Sequence, residues 1–499
     1  MDVLDLFHFC RIGDVENTRN LVEEEDVDVN VRDCWDSTPL YYACLCGHEA
    51  LVAYLLSIGA RCEPNTFDGE RCLYAALTDR IRKILQNYKA ITSTCMRRNP
   101  YYEFLRRTLE SGDFADVCFV IHGQRFCAHR AILTTRSSYF ASMFETKWKD
   151  KHVITLNNSL VKPWAFKALL NFIYMDRLDV DVSQTMDVLL LAKQCKLHVL
   201  KQLLEMRLRD IEMMSDSKPG THEVKVISVE PDASLRTMQG EYGQMAEIAI
   251  PQPYRQQQFP REFGEFFFPF SLSLPNDDRI PGDLPSYTDI CINVQGNKFF
   301  CHKMFLCGRS DYFRALLIDH FAEVSTEPNS IPELALHDVT PEVFAAVVSF
   351  VYRDNAELTD EILYNVLCAA DIYLLHGLKR LCEHKISGLL DRANVLTVLR
   401  TARLFSLDRL EMNCCDFLAG NIAEFIDSQD FHELILEDAA AIRNREETDS
   451  IPIVDDLRFH LYKNILPNDG SGSLCLEGGD AEINLLILNN ILEKLGLDC

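Results

Sequence analysis

The chain has 499 residues and a formal net charge of −25, from 50 Lys and Arg against 75 Asp and Glu. That length accommodates three or four domains, and 47% hydrophobic with 25% charged residues is globular composition. The acidic balance, with Arg97-Arg98 and Arg106-Arg107 no more than short pairs inside mixed sequence, argues against a phosphate-reading surface, so no nucleic-acid partner is expected. The 19 cysteines form no spacing framework; Cys44, Cys46, Cys118, Cys195 and Cys368 fall on apolar faces, where free Cys acts as a small hydrophobe. An odd count, with an acidic Met1-Asp2-Val3-Leu4-Asp5 start unlike a secretion signal, predicts a reducing intracellular setting, cytoplasmic with the nucleus open. The aromatic cluster at Phe266–Phe270 is too short to cross a bilayer, so no membrane partner is expected.

Thr38-Pro39-Leu40 predicts a helix start with Pro in the first turn. Leu40, Ala43, Val52, Leu55 and Leu56 follow at helical spacing, and Gly47 and Gly59 end two short helices. Upstream, Gly13 lies 34 residues before Gly47; downstream, Leu73 and Ala76 lie 33 after Leu40 and Ala43. This stretch resembles ankyrin repeats, the last without its Thr-Pro. Such units bury their apolar faces only against neighbours. Segment 84–109, with Ile84, Leu85, Tyr88, Ile91, Tyr101, Phe104, Leu105 and Leu109 at helical spacing, is expected to supply a lid.

One pattern then occurs twice. Asp116-Val117-Cys118-Phe119-Val120-Ile121, Gly123, Phe126, His129-Arg130, Ser137 and Tyr139-Phe140 return as Asp289-Ile290-Cys291-Ile292-Asn293-Val294, Gly296, Phe299, His302-Lys303, Ser310 and Tyr312-Phe313. The offset is 173 throughout (289 − 116, 302 − 129, 313 − 140). Alternating strands, a turn at His122-Gly123 or Gln295-Gly296, and a helix near Ala131 or Met304 are predicted in each. The pattern resembles the BTB/POZ domain, through Phe172-Ile173-Tyr174 and Phe350-Val351-Tyr352 to Leu200-Lys201 and Leu378-Lys379. There the offset is 178 (352 − 174), which predicts a five-residue insertion, placed in the Glu323–Pro332 loop.

Leu396, Leu399, Ala402, Leu404, Leu407, Leu410 and Phe417 continue at helical spacing and resemble a BACK-type extension. Residues 480–497 predict a last amphipathic helix that packs internally or dimerises. The expected fold class is mostly α with α+β modules: a short ankyrin stack, two BTB/POZ domains and a BACK-like helical tail. In residue ranges these are ankyrin repeats 1–80 (about 1–31, 35–64, and a degenerate cap at 68–80), a helical connector 81–112, and the first BTB domain 113–210. A Pro- and Gln-rich linker 211–285, partly alternating like a strand, the second BTB domain 286–388, BACK-like helices 389–445 and a tail 446–499 complete the chain. That order resembles the ankyrin repeat and BTB/POZ domain-containing proteins, nearest their type 1 members.

Neither copy carries a nucleophile–base pair or phosphate loop, so no catalytic or cofactor-binding residues are expected. Cys44 and Cys46 cannot face one side of a helix, and with His48 and Cys414-Cys415 they lack zinc spacing, so no metal is expected. His129, His302, Asp116 and Asp289 read as structural. The BTB resemblance implies protein binding, including docking on a cullin-3 type scaffold through a hydrophobic-x-Glu triplet. The matching residues are Phe321-Ala322-Glu323 in the second copy and Trp148-Lys149-Asp150 in the first. Phe321 is a candidate anchor or a cover for its own domain's loop, and Trp148 keeps the aromatic with the acid shortened to Asp150. Trp35 and Phe67, read as homologous hairpin tips on the ankyrin stack, are candidate client contacts or stacking rings. The expected function is a non-catalytic adaptor receiving substrate for a cullin-3 type ubiquitin ligase, with the client on the ankyrin repeats. The alternatives are a growth-control signalling scaffold and a transcriptional co-repressor. The two BTB copies pair within one chain or form a homodimer.

Overall fold

A computed structural model of the chain describes residues 3–23, 27–62, 66–87, 100–217, 225–229, 238–258, 287–318, 331–442, 450–465 and 478–497. Two compact units divide it, one of residues 1–338 with 351–354 and one of 339–350 with 355–499.

The first unit opens with three helix pairs: α1 (Val3–Ile12) and α2 (Val15–Glu23), α3 (Pro39–Cys46) and α4 (Glu49–Ser57), α5 (Phe67–Ala75) and α6 (Asp79–Asn87). Thr38 caps α3 by accepting from the Tyr41 N–H, and Gly47 ends it at φ 86°, a conformation that favours glycine. Leu6, Leu21, Leu40, Ala43, Leu51, Val52, Leu55, Ile81 and Leu85 form one core across all three pairs. The third pair does not keep the 33-residue register expected from Leu73 and Ala76. Its cap is Thr66, 28 residues after Thr38, and α6 starts 30 residues after α4. Thr66 Oγ1 accepts from Gly69 N at 3.1 Å, and Asp68 and Glu70 in the first turn suit a helix N-terminus. Asp68 is also gripped by Arg32 at 3.0 and 2.6 Å. The lid expected of 84–109 is therefore divided. Helix α6 closes the stack, whereas α7 (Pro100–Ser111) packs on BTB helices described below.

The first duplicated module has β1 (Val117–Ile121), β2 (Gln124–Ala128), α8 (Arg130–Arg136), α9 (Ser138–Glu145) and β3 (Val153–Leu156). It continues through α10 (Pro163–Met175), β4 (Leu178–Asp181), α11 (Thr185–Gln194) and α12 (His198–Ser217). Strand β1 lies between antiparallel β2 and parallel β3. The β1–β2 turn places His122 at φ 46° and Gly123 at φ 84°, the left-handed pair that a two-residue hairpin needs.

The segment expected to be a linker is built into this unit where it is described. β5 (Val226–Val229) pairs antiparallel with β4, and α13 (Met238–Ala249) and α14 (Gln252–Gln258) follow. Burial of Met238, Tyr242, Met245 and Ala246 stabilises α13 where composition alone suggested a spacer. Residues 259–286 lie outside the described ones.

The second module repeats the sheet with β6 (Ile290–Val294), β7 (Asn297–Cys301), α15 (Lys303–Arg309), α16 (Asp311–Ile318) and β8 (Glu333–Leu336), in the order β7-β6-β8. Gln295 and Gly296 repeat the left-handed turn. The pairing of Cys291 with Glu333, against Cys118 with Val153, puts β8 at offset 180. Seven extra residues thus precede β8, and two fewer separate it from α17 (Pro341–Arg353), since Pro341 − Pro163 is 178. The net insertion is five, as expected, but it is a sum of two changes.

The second unit takes most of α17, then α18 (Leu363–Ile372), α19 (His376–Ser387), α20 (Val395–Leu404), α21 (Asp408–Gly420), α22 (Gln429–Ala441), α23 (Pro452–Ile465) and α24 (Gly478–Leu495). Val395, Leu399 and Ala402 bury one stripe of α20, with Leu404 exposed. Arg403 ties three helices together by bonding Glu411 at 2.7 Å and Asp438 at 2.6 and 3.0 Å. Helix α24 packs on α21, α22 and α23 through Leu488, Ile491 and Leu492, so its second half is internal, while Ile483 and Leu486 of its first half stay exposed. Among the described residues no helix is long and apolar enough to cross a membrane.

Candidate protein-docking sites

The first candidate triplet folds inward. Trp148 N donates to Met143 O at 2.8 Å, turning the chain back under α9. Its indole then meets Phe119 and Phe144 at 5.7 Å and Tyr139 and Phe140 at 6.2 Å between ring centroids. At 5% exposure Trp148 is a core ring, not a surface anchor, while Asp150 is exposed. The physical reason is tertiary: four aromatic edges offer the ring more contact than solvent can. Phe321, Ala322 and Glu323 lie outside the described residues.

On the ankyrin face Trp35 and Phe67 part company. Trp35 sits in a turn held by Asp33, whose Oδ1 accepts from Trp35 N at 2.9 Å and Ser37 N at 2.8 Å, and the indole is 68% exposed. Phe67 is the first residue of α5 rather than a hairpin tip. Its ring lies under Arg71 at 5.7 Å and Arg207 at 5.4 Å. Arg207, buried on α12, also bonds Asp36, one contact at 2.9 Å, and Thr66 bridges Val226 of β5. The chain's own first BTB module thus covers Phe67 and leaves Trp35 open to a partner.

The duplicated histidines serve the fold. The backbone N–H of His129 donates to Tyr174 Oη at 3.0 Å, its Nδ1 lies 2.8 Å from the same oxygen, and its Nε2 lies 2.8 Å from the Asp113 carbonyl. His302 repeats the pair with Tyr352 at 2.9 and 2.7 Å. Asp116 and Asp289 accept from Arg130 N and Lys303 N at 2.8 and 2.7 Å, fixing the starts of α8 and α15. Burial pushes the His129 imidazole below its ordinary value. The unfolded imidazole titrates near ~6.5 and so takes up its proton first, which means stability is lost as pH falls below about 6.5. His129→Gln should flatten that acid slope in thermal melts; a slope equal to wild type would acquit this residue.

Cys44 is buried and Cys46 exposed, so Cys46 does not sit on the apolar face expected of it. Among the described residues no group of three or more His, Cys, Asp or Glu is placed to hold a metal ion.

Sequence reasoning missed a buried charged site. Arg136, at the end of α8, bonds Asp176, Glu241 of α13 and the Ile173 carbonyl. Tyr242 Oη beside it donates to the Tyr174 carbonyl at 3.2 Å, and Met238 N donates to Asp176 Oδ2 at 3.2 Å. The signal was present: Arg136 and Arg309 keep the offset 173, and Asp176 and Asp354 the offset 178.

The BTB/POZ domain family matches residues 105–212 and 283–390, and ankyrin repeats in three copies match 6–90. BTB/POZ domain-containing protein 3 of Schizosaccharomyces pombe is 30% identical over 99% of this chain and 90% of its own length. The chain belongs to the ankyrin-repeat BTB/POZ proteins. Ankyrin repeat-containing protein YIL001W of Saccharomyces cerevisiae is 27% identical over 92% of this chain and 89% of its own length. Kelch-like protein 40a of Danio rerio is 26% identical over 32% of this chain and 25% of its own. As an ankyrin-repeat BTB/POZ protein the chain is an assembly of interaction modules, and no enzymatic family is shown among its matches. Its ankyrin match ends at residue 90, in keeping with α6 as the closing helix of the stack.

Proposed function

We propose that this ankyrin-repeat BTB/POZ protein is a substrate receptor of a cullin-3 type ubiquitin ligase. The observation that carries the reading is modular: one chain joins an ankyrin stack with an open aromatic, Trp35, to BTB modules, the second followed by a helical extension. The partial likeness to a Kelch-like protein supports placing it among BTB adaptors. The ankyrin stack holds the client, and Phe321 and Glu323 of the second module meet the scaffold. Such an adaptor works by proximity, raising the client's effective concentration at the transfer site. It acts in the cytoplasm, with the nucleus open to it.

Co-precipitation of the full chain with cullin-3 tests the reading. Wild type should bind, and Phe321→Ala with Glu323→Ala should bind at least ~10-fold more weakly, the loss of a central anchor. Binding untouched by both changes removes the triplet. Wild type without cullin but with retained ankyrin clients overturns the ligase role and favours a signalling scaffold.

A further inference from the structure

The helix preceding each BTB module lies between the two modules. Helix α7, which leads into the first, packs on α10 of the first and on α15 of the second; α13, which comes before the second, packs on α8 of the first and on β7 of the second. Helices α8 and α15 are the same element at offset 173 (303 − 130). Each incoming helix delivers a buried tyrosine to the same place. Tyr242 of α13 donates to the Tyr174 carbonyl, and Tyr101 of α7 donates to the Tyr352 carbonyl. The acceptors are 178 apart (352 − 174), the offset of the duplicated helices. Beside each tyrosine stands an arginine–aspartate pair, Arg136 with Asp176 and Arg309 with Asp354. An exchange of the modules therefore exchanges the helices too, the reciprocity of a two-fold pair.

The two faces are equivalent but not interchangeable. A Cβ on Gly308 would lie 2.2 Å from Phe104 of α7, so α7 needs glycine on the helix it crosses. The equivalent position of the first module (308 − 173) is Thr135. Helix α7 thus fits the second module and is refused by a second copy of the first. The chain has also reached the second module by residue 258: Gln258 is buried, and its carbonyl accepts from Arg353 at 2.9 Å.

We propose that the two BTB modules of one chain form a closed self-pair through their two leading helices, which bridge the modules and so leave that face already filled against a second chain. Tethering sets this choice, because the partner face is held at high effective concentration. The expected state in solution is a single chain.

Two differently tagged full-length copies, co-expressed and purified through one tag, test the pairing together with light scattering. The expected mass is 57.2 kDa, with the second tag absent. Twice that mass, or both tags together, overturns the proposal. Gly308→Val should lower the melting temperature by roughly 5 °C or more, as overpacking against Phe104 does, while Thr135→Val should change it little. Equal melting of the Gly308 variant and wild type overturns the close approach of α7. The tag result uses unaltered protein and stands whether or not the Gly308 variant folds.

Discussion

Arg136→Ala is expected to destabilise the first unit by about 3–5 kcal/mol, the largest effect of any single charge removal here. The guanidinium is 3% exposed and stands between Asp176 and Glu241. Its loss leaves a buried Asp176 carboxylate beside the half-buried Glu241, with the Met238 N–H compensating Asp176 only in part. Even with Arg136 present, burial pushes the Glu241 carboxyl above its ordinary range. The sign follows from linkage: a carboxyl whose folded value is raised favours the folded state at low pH, and that advantage is lost as pH rises through the folded value. The deficit of the Arg136 variant should therefore shrink between neutral pH and a pH near the ordinary carboxyl range, and Glu241→Gln in that background should recover part of it. Chemical denaturation at both pH values measures this; a deficit that grows on acidification would contradict it. Arg309→Ala, which removes the partner of Asp354, should destabilise in the same direction.

Trp148→Ala is expected to cost about 3–5 kcal/mol, the range for emptying a buried aromatic site. Its ring touches four aromatic neighbours spread over β1 and α9, so the void cannot close by moving one side chain. Trp148→Phe should recover much of the loss. The three tryptophans separate cleanly, because Trp35 and Trp164 are exposed. Blue-shifted emission should come from Trp148 alone and vanish in the alanine variant before any denaturant is added. An alanine variant as stable as wild type, with its surface binding reduced, would return Trp148 to the role of an outward anchor.

What the sequence made legible was whatever local chemistry decides. The alternation of Val117, Phe119 and Ile121 and the His122-Gly123 turn specify a hairpin by themselves, and the constant offset copies that answer to Ile290–Cys301. Thr38-Pro39 and Gly47 likewise bound α3. What was illegible depends on partners distant in the chain. Thr66 competes as a cap and shifts the third ankyrin pair, because Arg32 is there to receive Asp68. The stretch around Met238 looked like spacer because its helix is stabilised by the first module's α8, not by propensity. Trp148 as a docking aromatic and Phe67 as a client contact or stacking ring were open from the sequence; packing and an arginine from α12 decide each.

We propose that a client-holding stack and a scaffold-docking module act as one adaptor. Calorimetric titration of the purified full-length chain with a cullin-3 scaffold tests it most directly. One scaffold per chain is the predicted result, since Trp148 of the first module is committed to its own core. No saturable binding at tens of micromolar scaffold, or two scaffolds bound per chain, would contradict it.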